Sequence, residues 1–359
     1  MSLVSAEIRE QPAVIARLLD RERPALGALA AELRRRRPRY AVVAARGSSD
    51  NAARYAQHVL GRILRLPVVL ATPSLHTLYD APPRFLDAVV IGISQSGASP
   101  DVVSVVAEGA RQGAMTVAIT NDAASPLAAA AGHVLDLGAG EERSVAATKT
   151  YTASLAAIAA LAAEGDPALT GEVARLPEAI AAQLALTAHA MPPLAIQARQ
   201  DGGRVSHPAA SAALDAATGW QRLTVVGRGA HYATAFEAAL KVRELAGIVA
   251  EAYSPADLLH GPIATTGPAQ PLLAIVPHGP TEGSMRELVG TARQRGADVA
   301  VIGHDPTLGD PFLELVDVPE WLGPVVAIVP AQLLAVGLAE RRAVDVDAPF
   351  GLSKITMTR

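Results

Sequence analysis

Ser94-Gln95-Ser96-Gly97-Ala98-Ser99 puts three hydroxyls and an amide into six residues. The loop lies between the apolar run Ala88–Ile93 and a helix expected from Asp101 to Gln112. At such a strand-to-helix junction, free backbone N–H groups and the helix dipole favour an anion, and hydroxyls and an amide add donors around phosphate oxygens. A serine that merely caps a helix explains one hydroxyl, not the whole cluster. Ser48 and Ser49, at the end of the preceding apolar run, are placed to reach the same crevice at the carboxyl ends of parallel strands. No Gly-x-x-x-x-Gly-Lys occurs, so this is not a nucleotide P-loop.

A second group of residues has the chemistry of proton transfer. Glu237, Lys241 and Glu244 fall at i, i+4 and i+7, on one face of a helix. Alone, that spacing describes a solvated salt-bridged stripe. Two neighbours argue for more: the helix starts at a strand end, and His260-Gly261-Pro262 follows downstream. A carboxylate, an ammonium and an imidazole converging on a carbonyl compound supply base, electrostatic partner and acid. Gly227-Arg228-Gly229 opens this helix but fails the dinucleotide fingerprint, because Tyr232 stands at the third glycine. The other histidines lack ligand spacing. Neither a metal nor a cofactor is expected.

The elements that must position these groups repeat. Ala45-Arg46-Gly47-Ser48-Ser49-Asp50 aligns with Gly227-Arg228-Gly229-Ala230-His231, and Ala110–Ala114 with Arg293–Ala297. Continuous apolar runs (Tyr40–Ala45, Pro67–Ala71, Ala88–Ile93, Met115–Thr120, then Leu223–Val226, Leu272–Val276, Val299–Ile302) alternate with helical segments. That alternation predicts an α/β fold built from two parallel sheets, each flanked by helices on both faces. The expected organisation is N-terminal helices over 1–36, a phosphate-binding domain over 37–190, and a connection over 191–220. An acid/base domain over 221–341 and a polar tail over 342–359, carrying Lys354, complete it. Only the first copy has the serine loop and only the second has the charged face. The duplication therefore predicts one composite site rather than two.

Composition excludes several functions. A net charge of −4 without a basic excess argues against nucleic acid or an anionic membrane as partner. Arg34–Arg37 reads as the last turn of a helix that Pro38 stops. With no cysteine, disulfides, thiolate metal sites and a cysteine nucleophile are absent from this sequence. The N-terminus lacks an apolar h-region. The apolar stretches Leu155–Ala163 and Val325–Ala339 read as too short or too interrupted to span a bilayer. A soluble, cytoplasmic protein is expected.

Taken in order, these motifs resemble the double sugar isomerase (SIS) domain proteins, and within them the isomerase half of glucosamine-6-phosphate synthases. The likeness covers nearly the whole chain. It is carried by Gly47-Ser48-Ser49, Ile93–Gly97, Ser144–Lys149, Glu237–Glu244, Glu251-Ala252-Tyr253, Leu259–Pro262 and Leu352-Ser353-Lys354. It implies two tandem doubly wound, flavodoxin-like domains. It also implies that Ser94, Gln95, Ser96 and Ser99 hold a sugar phosphate while Ser49 and the backbone at Val145 contact the sugar. Glu244 would move a proton between C1 and C2, with Lys241 and Glu237 beside it. His260 would assist ring opening, reaching the site from the other subunit of a homodimer, and Lys354 would act at the open-chain carbonyl.

Departures refine the expectation. The synthases carry a glutaminase domain with a cysteine nucleophile, which this sequence does not contain, and this implies that glutamine is not the nitrogen source. Ala147 replaces a serine and Gly351 an asparagine. Arg46–Asp50, Ser99-Pro100-Asp101 and Gly140–Ser144 look closer to stand-alone SIS-type amino-sugar-phosphate deaminases. The implied reaction is glucosamine 6-phosphate to fructose 6-phosphate and ammonia. Its rivals are a deglycase or ketose–aldose isomerase on another 6-phosphosugar, and a non-catalytic sugar-phosphate sensor.

Overall fold

Every residue of strand β3, Ala88–Ser94, is buried, and so is every residue of β4, Met115–Thr120. Strands that are apolar without alternation need cover on both faces, and that requirement shapes the molecule. The computed structural model describes residues 2–190, 217–349, 351 and 354. Its first sheet adds β1 (Tyr40–Ala44), β2 (Val68–Leu70) and β5 (His133–Asp136) in the parallel order β2-β1-β3-β4-β5. The second sheet contains β6 (Arg222–Val226), β7 (Val249–Tyr253), β8 (Leu272–Val276), β9 (Val299–Gly303) and β10 (Phe312–Glu314). Read from β7, its order is β7-β6-β8-β9-β10, again parallel. The two orders are the same permutation, that of flavodoxin-like sheets, so the duplication read from the loops extends to the topology.

Helices cover the sheets. In the first half these are α1 (Leu3–Arg21), α2 (Arg23–Arg36), α3 (Ser48–Ile63), α4 (Ser74–Thr77), α5 (Pro100–Arg111), α6 (Pro126–Ala130) and α7 (Lys149–Ala163), then α8 (Pro167–Val173) and α9 (Leu176–Ala190). The second half has α10 (His231–Ala246), α11 (Pro255–Leu259), α12 (Glu282–Gln294) and α13 (Gly323–Arg341). All of α7 is buried, which accounts for its apolar surface on every side. Val42, Val90, Val102, Val105, Val106 and Leu127 form one core between β1, β3, α5 and α6. Leu272, Val276, Met285, Leu288, Val289 and Val301 form its counterpart around β8, β9 and α12.

The chain forms two compact units, and each draws on several segments. One gathers Met1–Arg9, Ser144–Ala146 and Glu178–Leu352, the other Glu10–Arg143, Ala147–Pro177 and Ser353–Arg359. The contiguous boundaries expected from sequence, 37–190 and 221–341, thus differ from the grouping in space. Most of the expected connection, 191–216, lies outside the described residues.

Helix α13 departs from expectation. It starts at Gly323 and holds Pro330 in its interior. At 19 residues it is long and apolar enough to cross a membrane, contrary to the reading that no stretch qualifies, but 83% of its apolar window is buried inside the fold. It packs on α10 and β9 as a core helix. Arg34–Arg36 close α2 as expected, with Arg35 and Arg36 both paired to Glu32 and holding its carboxyl down at about 2.

Candidate functional site

Strand β3 delivers the serine loop to the carboxyl end of the first sheet, next to the end of β1. Ser94 is buried, and its Oγ accepts the backbone N–H of Gly97 at 3.1 Å. Ser96 Oγ accepts from Ala98 N at 3.3 Å. These bonds curl the loop and leave each hydroxyl its own proton to donate. Gly97 has a φ of +60°, and a Cβ there would lie 2.1 Å from Ser125 Oγ, so only glycine fits. Ser99 occupies the N-cap of α5 without a side-chain capping bond, which removes capping as the reason for its hydroxyl. Gln95 and Ser99 are half-buried at the mouth. Ser49 sits in the first turn of α3, which begins at Ser48.

Two acidic residues of this half have partners in the fold that sequence did not assign to them. Asp101, fully buried at the start of α5, accepts Arg46 Nε at 2.6 Å and the N–H of Val102 at 2.9 Å. Arg46 extends from the end of β1 with its side chain 49% exposed, so it brings a cation to the serine loop's helix. Glu142, also buried, lies on the segment leading to α7. Burial pushes its carboxyl up, but the Lys354 ammonium and hydrogen bonds from Thr148, Lys354 and Thr150 outweigh it and hold it below the usual carboxylate value. No local pattern announces either pair, since the partners are 55 and 212 residues apart in sequence. Val145 is half-buried, and next to it Ser144 donates from its backbone N–H to Glu7 at 3.3 Å.

In the other unit, α10 presents the charged face. Glu237 and Lys241 are fully buried, with Lys241 Nζ 3.4 Å from Glu237 Oε1, and Lys241 also bonds Glu244. A solvated surface stripe is therefore not what the sequence encodes here. Glu244 is the member with access to solvent, its side chain 24% exposed. Withdrawing two charges from water carries an effective penalty of several kcal/mol each, so a buried pair is weak as a device for stability alone. The arrangement suits a carboxylate that exchanges a proton with a ligand while a buried ammonium and second carboxylate hold it in place.

His260, the C-cap residue of α11, is exposed, and its side chain bonds none of the described residues. No bond among the described residues ties it to the α10 face. Lys354 in the tail instead reaches Glu142, 2.9 Å away. Among the described residues no group of three or more His, Asp or Glu side chains is placed to hold a metal.

Comparison with known proteins matches this architecture. A model of the SIS domain matches residues 32–164 and 218–308. A glutamine–fructose-6-phosphate aminotransferase (isomerizing) of Pyrococcus horikoshii is 31% identical over 326 residues, covering 87% of this chain and 51% of that protein. The chain spans about half the length of the curated relatives it matches. Among solved structures, a candidate phosphosugar isomerase of Silicibacter pomeroyi DSS-3 is 33% identical with a TM-score of 0.84, covering 97% of this chain and all of that one. A glucosamine-6-phosphate deaminase of Thermotoga maritima shares the fold at 18% identity, with a TM-score of 0.75 over 99% of this chain and 100% of the other.

Proposed function

Since the chain belongs to the SIS-domain family, we propose that it is an enzyme of sugar-phosphate isomerisation that deaminates glucosamine 6-phosphate to fructose 6-phosphate and ammonia. The observation that carries this reading is the charged face of α10, with a buried Glu237–Lys241 pair behind a more accessible Glu244. A protein that only binds a sugar phosphate has no need of that costly arrangement. The Ser94–Ser99 loop supplies donors for the phosphate, and Arg46 adds a charge to the same helix N-terminus.

In the proposed reaction the opened sugar has an aldehyde at C1 and an amine at C2. Glu244 takes the C2 proton and returns it to C1. As C1 is reduced to the alcohol, its oxygen gains a proton and the amine loses one, leaving an imine at C2. Water hydrolyses that imine to the ketone and ammonia. Lys241, held by Glu237, stabilises the Glu244 carboxylate before it takes the proton and after it returns it, His260 assists ring opening from a partner subunit, and Lys354 acts at the open-chain carbonyl.

Incubation of the purified protein with glucosamine 6-phosphate, with enzymatic detection of ammonia and fructose 6-phosphate, is the test. Stoichiometric appearance of both is expected. Sugar interconversion without ammonia would replace this reading with ketose–aldose isomerisation, which uses the same proton transfer and fits the similarity to the Silicibacter structure. Binding without any turnover would leave only a sensor.

A further inference from the structure

Glu142 uses both carboxylate oxygens fully. Its Oε1 accepts Thr148 N at 2.9 Å and Thr150 N at 3.1 Å, and its Oε2 accepts Thr150 Oγ1 at 2.7 Å and Lys354 Nζ at 2.9 Å. The first three bonds close the start of α7. They do the work of an N-cap, which the Thr148 hydroxyl, buried and without a hydrogen-bond partner, does not do. A neutral acceptor would serve for that purpose alone. What a cap does not explain is a full negative charge, held at 0% exposure and met by an ammonium from the far end of the chain.

The dependence is lopsided. Without Lys354, Glu142 still has three donors at a helix N-terminus. Without Glu142, Lys354 loses the single hydrogen bond its ammonium makes among the described residues. We infer that Glu142 is the positioning residue of Lys354, fixing the ammonium against the loop that begins α7 and so setting where the tail amine stands. The same carboxylate thereby joins the tail amine to the start of α7. The catalytic part of this inference rests on the proposed deaminase reading; the anchoring part does not.

Trypsin separates the two. Cleavage after Lys354 requires the lysine side chain to enter the protease pocket, so a held lysine is protected. Release of the C-terminal peptide, followed by mass spectrometry, is expected to accelerate about tenfold or more in Glu142→Gln, as loss of a charge-assisted hydrogen bond demands. Cleavage at other lysines and arginines is expected to stay at the parental rate. Thr150→Val, which removes one capping bond but keeps the charge, is expected to leave Lys354 protected. Equal release from parent and Glu142→Gln, or equal acceleration by Thr150→Val, would overturn the inference. If Glu142→Gln does not fold, Glu142→Asp takes its place, keeping the charge but withdrawing it by one methylene, and faster release is again the expected result. In the deaminase assay, Glu142→Gln is expected to lower kcat with KM changed less than about twofold. No turnover by the parent would sink the deaminase reading while leaving the proteolysis result standing.

Discussion

Ser96 and Glu244 belong to different chemistries, and kinetics should separate them. Ser96→Ala removes a donor proposed for the phosphate and disturbs the bond to Ala98 N. Because that contact is made equally in ground and transition states, the expected effect is a raised KM with kcat changed little. Glu244→Gln keeps shape and hydrogen bonding but cannot carry a proton, so kcat is expected to fall by about 10²–10⁴ with KM nearly constant. Steady-state kinetics on glucosamine 6-phosphate checks both, and a reversed pattern would show that the halves have been assigned the wrong way round. At this scale the sequence was informative wherever chemistry is local. The serine loop and the i, i+4, i+7 face are visible because their members are neighbours along the chain. Asp101 and Glu142 stand in stretches that carry the resemblance, but their pairings with Arg46 and Lys354 were invisible, since a carboxylate shows its partner only after folding. Spacing alone would place Glu237 and Lys241 on a solvated face, because it does not reveal which side of a helix is covered; both are buried.

Helix α10 shows what an element adds to its residues. Lys241→Met would leave Glu237 buried without its ammonium, an expected loss of about 3–5 kcal/mol in urea unfolding. The double replacement Glu237→Leu/Lys241→Met should recover most of that stability and none of the activity, which would mark the pair as kept for function. A second test lies at the ends of β8 and β9, where His278 and His304 stack with ring centroids 4.1 Å apart. Burial foremost, then His278, push His304 below the usual histidine value, against the pull of Asp317, Glu282 and Glu314. The unfolded chain therefore takes up a proton before the folded one, so stability falls as pH drops below about 6.5. Tm is expected to decline between pH 7.5 and 5.5, and less steeply in His304→Asn; identical slopes would remove His304 from the account. Elements were legible in proportion to their burial. Met115–Thr120 and Leu272–Val276 match the expected strands residue for residue, being buried throughout. The edge strands β5, β7 and β10 were missed, because short strands with polar positions carry little periodic signal. Pro330 interrupts the apolar run Val325–Ala339 in sequence, yet tertiary cover keeps it inside α13.

At the scale of the molecule, duplication was readable because both copies keep the same turn residues, and the shared strand order shows how deep the repeat runs. Its interleaved grouping was not readable, since packing of Met1–Arg9 and Ser144–Ala146 with the second sheet's unit leaves no trace in composition. One proposed role remains outside the single chain. His260 is exposed and its imidazole bonds none of the described residues, as suits a group completed by a second copy. If the enzyme is a two-fold dimer in which each site takes Glu244 from one protomer and His260 from its partner, two inactive variants should rescue each other. A Glu244→Gln/His260→Asn heterodimer would then contain one site with both residues intact and one with neither. Random exchange at equal concentrations makes half the dimers mixed, so about a quarter of parental activity is expected to return. If His260 acts within its own protomer, every site keeps one defect and mixing restores nothing. Light scattering on each variant fixes the oligomeric state beforehand, and a monomer would withdraw the shared site before any rate is measured.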